Sequence, residues 1–181
     1  LAFAEEVMAV LTSILALFSA VMIALMPWVM PVIAPGFAET GELARATELA
    51  RITFPYLFFI SLVSLQSGVM NALDRFAAAA ITPILLNLTL ITFLLIAVSL
   101  EGELSLFLAY GVSTAGVVQF FWMWAACRRA MAGIRFVRPR LSQEVKDVLK
   151  RILPLSLGVG VYQINILVNN ALATLISAGA V

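Results

Sequence analysis

Four amide side chains near the C-terminal end of the chain are the residues best suited to contact a ligand. They lie in an uncharged run, 152–181, and an amide at membrane depth needs a partner helix, a water molecule or a ligand. At about 100° per residue two of them share one side of a helix and two share nearly the opposite side. We expect this helix to pack on neighbours with one side and to line a hydrated cavity with the other. The four candidates for the cavity lining are Gln163, Asn165, Asn169 and Asn170.

Covalent chemistry finds no support in the sequence. The chain has no histidine and one cysteine, Cys127, which excludes histidine-based nucleophilic catalysis, histidine-containing metal sites and an internal disulfide within it. Phosphate-binding glycine loops, metal-ligand spacings and catalytic carboxylate pairs are also missing from the sequence. We therefore expect no catalytic residue, no metal site and no cofactor, and an enzyme is the least expected class of function.

A second polar group separates two long apolar runs. Asp74 and Arg75 are the adjacent charged residues between the uncharged runs 52–73 and 76–100, and Asn71 lies just before them. Two apolar runs joined by so short a polar segment indicate a membrane hairpin with a tight turn.

The composition shows which elements must position these residues. Apolar residues make up 63% of the 181 residues, charged residues 12%, and the mean hydropathy is +1.08. A soluble domain carries about 25% charged residues, and a helix of about 20 apolar residues crosses the hydrocarbon core of a bilayer. The sequence therefore predicts an all-α integral membrane protein, a polytopic helical bundle. Its five predicted transmembrane helices are about 7–30, 53–73, 79–100, 105–127 and 152–177.

The positive charges predict the orientation of these helices. Eight of the eleven Lys and Arg residues lie in the connection 128–151, which the positive-inside rule places in the cytoplasm. Alternation then places the 74–75 turn in the cytoplasm and the segments 31–51 and 101–104 on the outer side of the membrane. An amphipathic helix capped by Ser142 in this connection is expected to lie on lipid headgroups. Nucleic-acid binding is not expected, because no aromatic platform accompanies the bases.

Local patterns give three further expectations. Thr40 is a plausible N-cap for a short amphipathic helix over 42–52, stabilised by pairs of opposite charge three residues apart, Glu42 with Arg45 and Glu48 with Arg51. Small residues around Gly68, Gly111 and Gly116 are typical of close helix packing in lipid, with cavity lining as the alternative. Prolines at 55, 83 and 154 fall near predicted helix starts, where a missing N–H costs least; a functional hinge is the alternative.

Several longer motifs resemble one family. The supporting segments are APGF at 34–37, RITFPY at 51–56, SLVSLQSGVMNALDRFA at 61–77, TPILLN at 82–87, GVVQ at 116–119 and GVGVYQINILVNNALATLISAGAV at 158–181. In this order they resemble the third to seventh helices of MurJ/MviN-type lipid II flippases, which belong to the multidrug/oligosaccharidyl-lipid/polysaccharide exporter superfamily. The resemblance covers essentially the whole chain.

The resemblance implies a function and a set of partners. Such proteins have fourteen helices in two lobes and move the undecaprenyl-pyrophosphate-linked peptidoglycan precursor across the bacterial inner membrane by alternating access. Residues 1–181 would then be a partial transmembrane transporter domain, a piece of a longer protein. Its partners would be lipid II, membrane lipids and the remaining helices of the full-length protein. The family's important cavity arginines lie outside the matched region, so none is assigned here.

The resemblance also suggests roles for individual residues. Asn71, Asp74 and Arg75 match the family's turn between two helices, which implies that they shape the cytoplasmic hairpin and gate. Asn169 occupies a position where some relatives have a carboxylate implicated in cation binding. Because an amide carries no charge, Asn169 is only a weak candidate for a cation site.

Two alternatives to a lipid II flippase remain open on the sequence. The chain could belong to another transporter of the superfamily, either a polysaccharide-lipid flippase or a cation-coupled drug exporter. It could also belong to a non-transporting membrane scaffold with the same fold. Arginines in the flanking helices would favour the flippase, and acidic residues in an apolar cavity would favour drug export.

Overall fold

The structure is a computed structural model that describes residues 2–130, 137–139 and 142–176. Every regular element in this part of the chain is a helix, which confirms the predicted all-α class. In chain order the helices are α1 (Ala2–Ile33), α2 (Gly36–Thr40), α3 (Leu43–Thr53), α4 (Pro55–Ala72), α5 (Ala77–Ser99), α6 (Leu104–Ala130) and α7 (Gln143–Ile176).

Five of these helical segments are long and apolar enough to cross a membrane, as the lengths of the uncharged runs predicted. The five segments are Phe3–Ile33, Leu43–Ala72, Ala77–Ser99, Leu104–Ala130 and Gln143–Asn169. The short helix α3 leads into α4 with one residue, Phe54, between them, so the two form a single long segment.

Helix α6 lies at the centre of the packing. It packs most extensively on α5 and α4, and α1 lies against α3, α4 and α7. The most deeply buried cluster forms where α4 meets α6, and its four members are between 0% and 3% exposed: Val63, Met70, Met123 and Cys127. Helices α4, α5 and α6 thus form a three-helix unit.

Two glycines of α6 allow the helices of this unit to approach closely. A Cβ atom at Gly111 would lie 3.1 Å from the Cβ of Phe93 in α5, and one at Gly116 would lie 3.0 Å from Cδ2 of Tyr56 in α4. A Cβ at Gly68 would meet no atom of the described residues within 4 Å. The predicted packing role is therefore confirmed at Gly111 and Gly116, whereas Gly68 makes no such approach in this part of the chain.

The turn between α4 and α5 is closed by its own backbone. The N–H of Arg75 donates to the carbonyl of Met70 at 3.0 Å, and the N–H of Asp74 donates to the carbonyl of Asn71 at 3.1 Å. Asp74 has a φ of 57°, in the left-handed region. These two bonds and the left-handed residue define a Schellman motif, which satisfies the carbonyls at the end of α4.

The same motif ends α5. The N–H of Gly102 donates to the carbonyl of Ala97 at 2.9 Å, and the N–H of Glu101 donates to that of Val98 at 3.3 Å. Glu101 has a φ of 50°. Among the residues described, Asp74 and Glu101 are the two non-glycine residues with positive φ, so both connections of the three-helix unit use an acidic residue where glycine is usual.

Pro83 lies inside α5 rather than at its start, contrary to the expectation of a helix-entry position. Its missing N–H leaves the carbonyl of Ala79, four residues earlier, without its helical donor. The hydroxyl of Thr82 donates to that carbonyl at 2.8 Å instead. A neighbouring side chain thereby replaces the backbone bond that the proline removes, as membrane helices require.

Side chains of α6 bind the same region of α5. Gln119 Nε2 donates to the carbonyl of Thr82 at 2.7 Å, and the indole Nε1 of Trp122 donates to the carbonyl of Ala78 at 3.0 Å. Gln119 and Thr82 are both buried. Two bonds from one helix to the backbone of the next therefore join α5 and α6 around the proline.

The helix after residue 34 differs from its prediction. Thr40 is the last residue of α2 and not the N-cap of the next helix. Gly41 follows with a left-handed φ of 76°, which ends α2. Helix α3 starts at Leu43, with Glu42 as an N-cap that makes no side-chain bond.

The last helix is longer than the predicted span. Helix α7 runs from Gln143 to Ile176 with Pro154 inside it, so the predicted amphipathic helix and the fifth apolar run are continuous. The Ser142 hydroxyl accepts a bond from the N–H of Val145 at 3.4 Å, which confirms the predicted cap. Arg128 and Arg129 belong to the last turn of α6, and residues 131–136, 140 and 141 of the predicted connection lie outside the described residues.

Candidate functional site

The amides predicted to line a cavity lie on the outer surface of α7. Gln163, Asn165 and Asn169 are all exposed, and Asn169 Nδ2 donates to Asn165 Oδ1 at 3.2 Å. This bond shows that Asn165 and Asn169 share one side of the helix, as their spacing predicted. The side chain of Asn170 lies outside the described part of the chain.

Gln163 borders a shallow depression of about 360 Å³ on another side of α7. Its other lining residues, Ile164, Ile166 and Leu167, all belong to the same helix. Among the described residues α7 provides the only wall of this depression, so the cavity-lining role of these amides stays a prediction. Chemically, the exposed amides offer neutral donors and acceptors in an apolar helix.

Cation binding at Asn169 gains no support from its surroundings. The described residues contain no group of three or more His, Cys, Asp or Glu side chains placed to hold a metal ion. In the described part of the chain, Asn169 bonds to another amide, that of Asn165.

The residues of the α4–α5 turn border a larger pocket. Asn71, Asp74 and Arg75 are exposed, and Asp74 and Arg75 line an open pocket of about 660 Å³ between the turn and the C-terminal end of α6. Trp122 and Arg129 of α6 form the opposite side. We call this space the turn pocket; its lining includes Arg75, Phe76, Ala78, Trp122, Ala126 and Arg129.

Sequence reasoning identified one side of this pocket and missed the other. The missed residues, Trp122 and Arg129, lie about 50 residues beyond the turn. A signal was available, because α6 must run antiparallel to α5 and so return to the level of the turn near its C-terminal arginines. Which side chains meet there depends on the register of the two helices, which the sequence pattern does not specify.

A cluster of charged residues lies at the opposite end of the three-helix unit. Arg45 Nε donates to Glu103 Oε1 at 3.0 Å, and a second guanidinium nitrogen of Arg45 pairs with the other carboxylate oxygen of Glu103. Arg45 also pairs with Glu48, and the hydroxyl of Ser105 donates to Glu103. The hydrogen bond from Arg45, followed by that from Ser105, holds the pKa of the Glu103 carboxyl below its usual value.

Both ion pairs predicted for the short helix α3 are wrong. Arg45 contacts Glu48 and Glu103 instead of Glu42, and Arg51 donates through Nε to the carbonyl of Ile23 in α1 at 3.0 Å instead of pairing with Glu48. Arg45 thereby ties α3 to the connection between α5 and α6.

Charged residues are absent from much of the described helical interior. Helices α4 and α5 contain none, and those of α6 are the two arginines of its last turn. The three-helix unit therefore presents a neutral interior with charged residues at its two ends.

Comparison with known proteins identifies the family. The family model described as "Lipid II flippase MurJ" matches residues 1–181. A "Probable lipid II flippase MurJ" of Rhizobium meliloti (strain 1021) is 39% identical over 181 residues, which cover 95% of this chain and 33% of the relative. A protein of the same description from Rhizobium tropici is 38% identical over 177 residues, with the same shares of the two chains.

A more distant relative gives the same result. The "Lipid II flippase MurJ" of Burkholderia cenocepacia is 32% identical over 188 residues, covering 99% of this chain and 36% of the relative. The chain spans about a third of the length of the curated relatives that it matches. These matches confirm the resemblance seen in the sequence motifs, and the chain belongs to the MurJ family of lipid II flippases.

Proposed function

We propose that this chain forms part of a flippase that moves lipid II, the undecaprenyl-pyrophosphate-linked peptidoglycan precursor, across the bacterial inner membrane by alternating access. The observation that carries the proposal is the match to the MurJ family over all 181 residues. The five apolar helices are consistent with a polytopic transporter. The proposed activity is binding and movement of a lipid, without covalent chemistry.

The charges of the described helices limit the role of this region. A pyrophosphate headgroup calls for cations, preferably arginines that contact phosphate through two N–H groups. Helices α4 and α5 carry no charged residue. We therefore assign the pyrophosphate-binding cations to residues outside these helices, and we assign residues 1–181 to a partial transporter domain of a fourteen-helix, two-lobe protein.

Helix α7 is the part of the chain best suited to contact the substrate. Gln163, Asn165 and Asn169 are exposed on the part of α7 after residue 151, which is otherwise largely apolar. Neutral amides match the hydroxyl and amide groups of the sugars and peptide of the precursor, since they both donate and accept hydrogen bonds. We propose that these side chains border the translocation cavity.

The distribution of basic residues supports one orientation. We propose that the end bearing Arg75, Arg128 and Arg129 faces the cytoplasm and that the end bearing Arg45 and Glu103 faces the periplasm. Single cysteines at positions 74 and 101, in a full-length protein from which Cys127 and every other cysteine have been removed, test this. The first should react with a membrane-impermeant thiol reagent only in inside-out vesicles, and the second only in intact spheroplasts.

Depletion of the protein tests the transport activity. In cells without redundant flippases, depletion should lower the amount of lipid II accessible on the outer face of the membrane while total lipid II rises. Wild-type protein supplied in trans should restore it. Unchanged external lipid II in depleted cells would contradict the proposal.

Complementation of the depleted cells tests the residues of α7. Gln163→Leu and the double change Asn165→Leu with Asn169→Leu should each lower the accessible lipid II. Asn87→Leu is the matched control, because Asn87 is an exposed amide in the middle of α5 and the chemical change is the same. Equal losses in all three variants would indicate a general folding effect and remove the support for a substrate path along α7.

A further inference from the structure

The turn pocket combines a charged rim with an apolar wall. Arg75 comes from the α4–α5 turn and Arg129 from the last turn of α6, and both are exposed. Neither forms an ion pair with any residue in the described part of the chain. Asp74 also lines the pocket, which leaves the described lining residues with a net charge of +1.

The neighbouring Arg128 differs from Arg75 and Arg129 because its guanidinium already has a contact within the protein. Its guanidinium lies over the ring of Trp124, 4.7 Å from the ring centroid, and it does not line the pocket. A cation over an aromatic face is held by the ring electrons. Arg75 and Arg129 have no such contact among the described residues and remain available to an anion.

The apolar wall is formed by large exposed rings and small side chains. Phe76 is 57% exposed and Trp122 37% exposed. The indole of Trp122 is held in place by its bond to the carbonyl of Ala78 at 3.0 Å. Alanines at 77, 78, 125 and 126 leave the recess open, since larger side chains at these positions would occupy it.

We propose that the turn pocket binds one anionic glycerophospholipid of the surrounding leaflet. Its phosphodiester lies between Arg75 and Arg129, and an acyl chain lies against Phe76 and Trp122. Guanidinium groups match phosphate oxygens in geometry as well as charge. This lipid site is separate from lipid II transport and does not depend on it.

The net charge of the lining selects the class of lipid. A lining of charge +1 balances one phosphodiester, as in phosphatidylglycerol, whereas the pyrophosphate of a lipid-linked sugar carries more negative charge than the pocket offsets. Basic residues near a membrane surface each strengthen anionic lipid binding by about fivefold. The apolar wall adds affinity that a free phosphate ion cannot gain.

Binding of phosphatidylglycerol to the protein, purified with its whole natural sequence in detergent, tests the rim. Native mass spectrometry should show that Arg75→Gln combined with Arg129→Gln lowers the affinity on the order of twentyfold. Arg128→Gln is the matched control, because it removes the same charge from the same helix end outside the pocket, and it should lower the affinity by no more than about fivefold, well short of the loss in the pair. Asp74→Asn removes the opposing charge and should raise the affinity.

A second measurement tests the wall. Phosphatidylglycerol with brominated acyl chains should quench tryptophan fluorescence, and Trp122→Phe should remove that component. Ala126→Phe fills the recess and should weaken the quenching while both arginines remain. Arg75→Lys combined with Arg129→Lys keeps the charges and should retain more binding than the glutamine pair, which separates loss of charge from loss of folding.

The following results would overturn the proposal. The glutamine pair could bind phosphatidylglycerol as the wild type does, or Arg128→Gln could lose binding equally. Phosphatidylethanolamine or inorganic phosphate at the same concentration could compete fully, which would remove the need for an anionic lipid. Purified lipid II could displace phosphatidylglycerol with a higher affinity that depends on both arginines, which would assign the pocket to the transport substrate.

Discussion

Gln119 Nε2 donates a hydrogen bond of 2.7 Å to the backbone carbonyl of Thr82, and both residues are buried between α5 and α6. The bond lies directly before Pro83, where the backbone of α5 lacks one of its own donors. A polar contact between membrane helices thus stabilises a helix at the point where its internal bonding is weakest.

Removal of the Gln119 amide should destabilise the three-helix unit. We expect Gln119→Met to lower the free energy of unfolding in detergent by about 0.6 kcal/mol and by no more than about 1.7 kcal/mol, the range of hydrogen bonds between membrane helices. Thr92→Val is the control, because that exposed hydroxyl bonds only to a carbonyl of its own helix. The change also removes Gln119 Oε1, which is buried without a partner among the described residues, so a variant as stable as the wild type would show that the bond does not outweigh that cost.

Replacement of Gln66 should have the opposite effect on the free energy of unfolding. It is 1% exposed, and neither its amide nitrogen nor its amide oxygen has a partner among the described residues. A buried amide without partners costs about 1–3 kcal/mol, so Gln66→Met should raise the free energy of unfolding by at least about 1 kcal/mol. The two glutamine-to-methionine changes are matched controls for each other, and a loss of stability on Gln66→Met would mean that a partner exists.

A methyl group at Gly116 should push α4 and α6 apart. The added Cβ would lie 3.0 Å from Tyr56 Cδ2 and 3.1 Å from Phe59 Cβ, and overpacking of this kind costs about 1–3 kcal/mol. Gly68→Ala is the matched control, since its Cβ meets open space and alanine favours the helix. Thermal unfolding should show a lower midpoint for Gly116→Ala only. The prediction fails if both glycines respond alike.

The left-handed backbone at Asp74 predicts which substitutions the α4–α5 turn accepts. With a φ of 57°, the position suits glycine, and Asp74→Gly should raise stability by up to about 1 kcal/mol. Asp74→Val should lower it by at least that amount, because a β-branched side chain clashes in this region. Equal midpoints of thermal unfolding for the two variants would contradict the turn geometry.

The contact between Arg45 and Glu103 should make stability depend on pH in the acidic range. Because the folded protein holds the pKa of Glu103 below its ordinary 4.5, the stabilisation is fully present above that pH. It is lost as the pH falls through the lower folded pKa. Glu103 is exposed and Arg45 is partly exposed, so the effect should be small and should weaken in high salt.

Two variants of the same loop check this pH dependence. Glu103→Gln should flatten the acidic part of the stability profile and remove the salt effect. Glu101→Gln, two residues earlier and without an ion pair among the described residues, should keep the wild-type profile. A Glu103→Gln profile with the same acidic slope as the wild type would show that another carboxyl is responsible.

The sequence alone predicts the helical membrane architecture because run length and composition set it. Uncharged stretches longer than about 20 residues leave a helix as the open-ended solution in lipid. Local chemistry also predicted the cap at Ser142 and the close approaches at Gly111 and Gly116. Each of these depends on a residue's own helix or on a small side chain, which a linear pattern contains.

Contacts between distant segments were not predictable in this way. Helical spacing can predict ion pairs of Arg45 only with residues three or four positions away. Its partner Glu103, however, lies 58 residues later. Arg75 and Arg129 line the same pocket only because of the relative register of α4, α5 and α6, which the sequence pattern does not specify. The cavity role of Gln163 and its neighbours stays a prediction, because a cavity needs two walls and the described residues provide only the wall formed by α7.

The two Schellman turns have a consequence for how this region can change through evolution. The carbonyls of Met70 and Ala97 accept the backbone hydrogen bonds that close the two turns. The side chains of the residues that follow each turn are therefore not needed to hold the hairpins together. Mutation at Arg75 or Phe76 can therefore alter what the surface recognises without dismantling the three helices behind it. Contacts at this corner of the bundle can therefore change while the three-helix unit keeps its backbone structure.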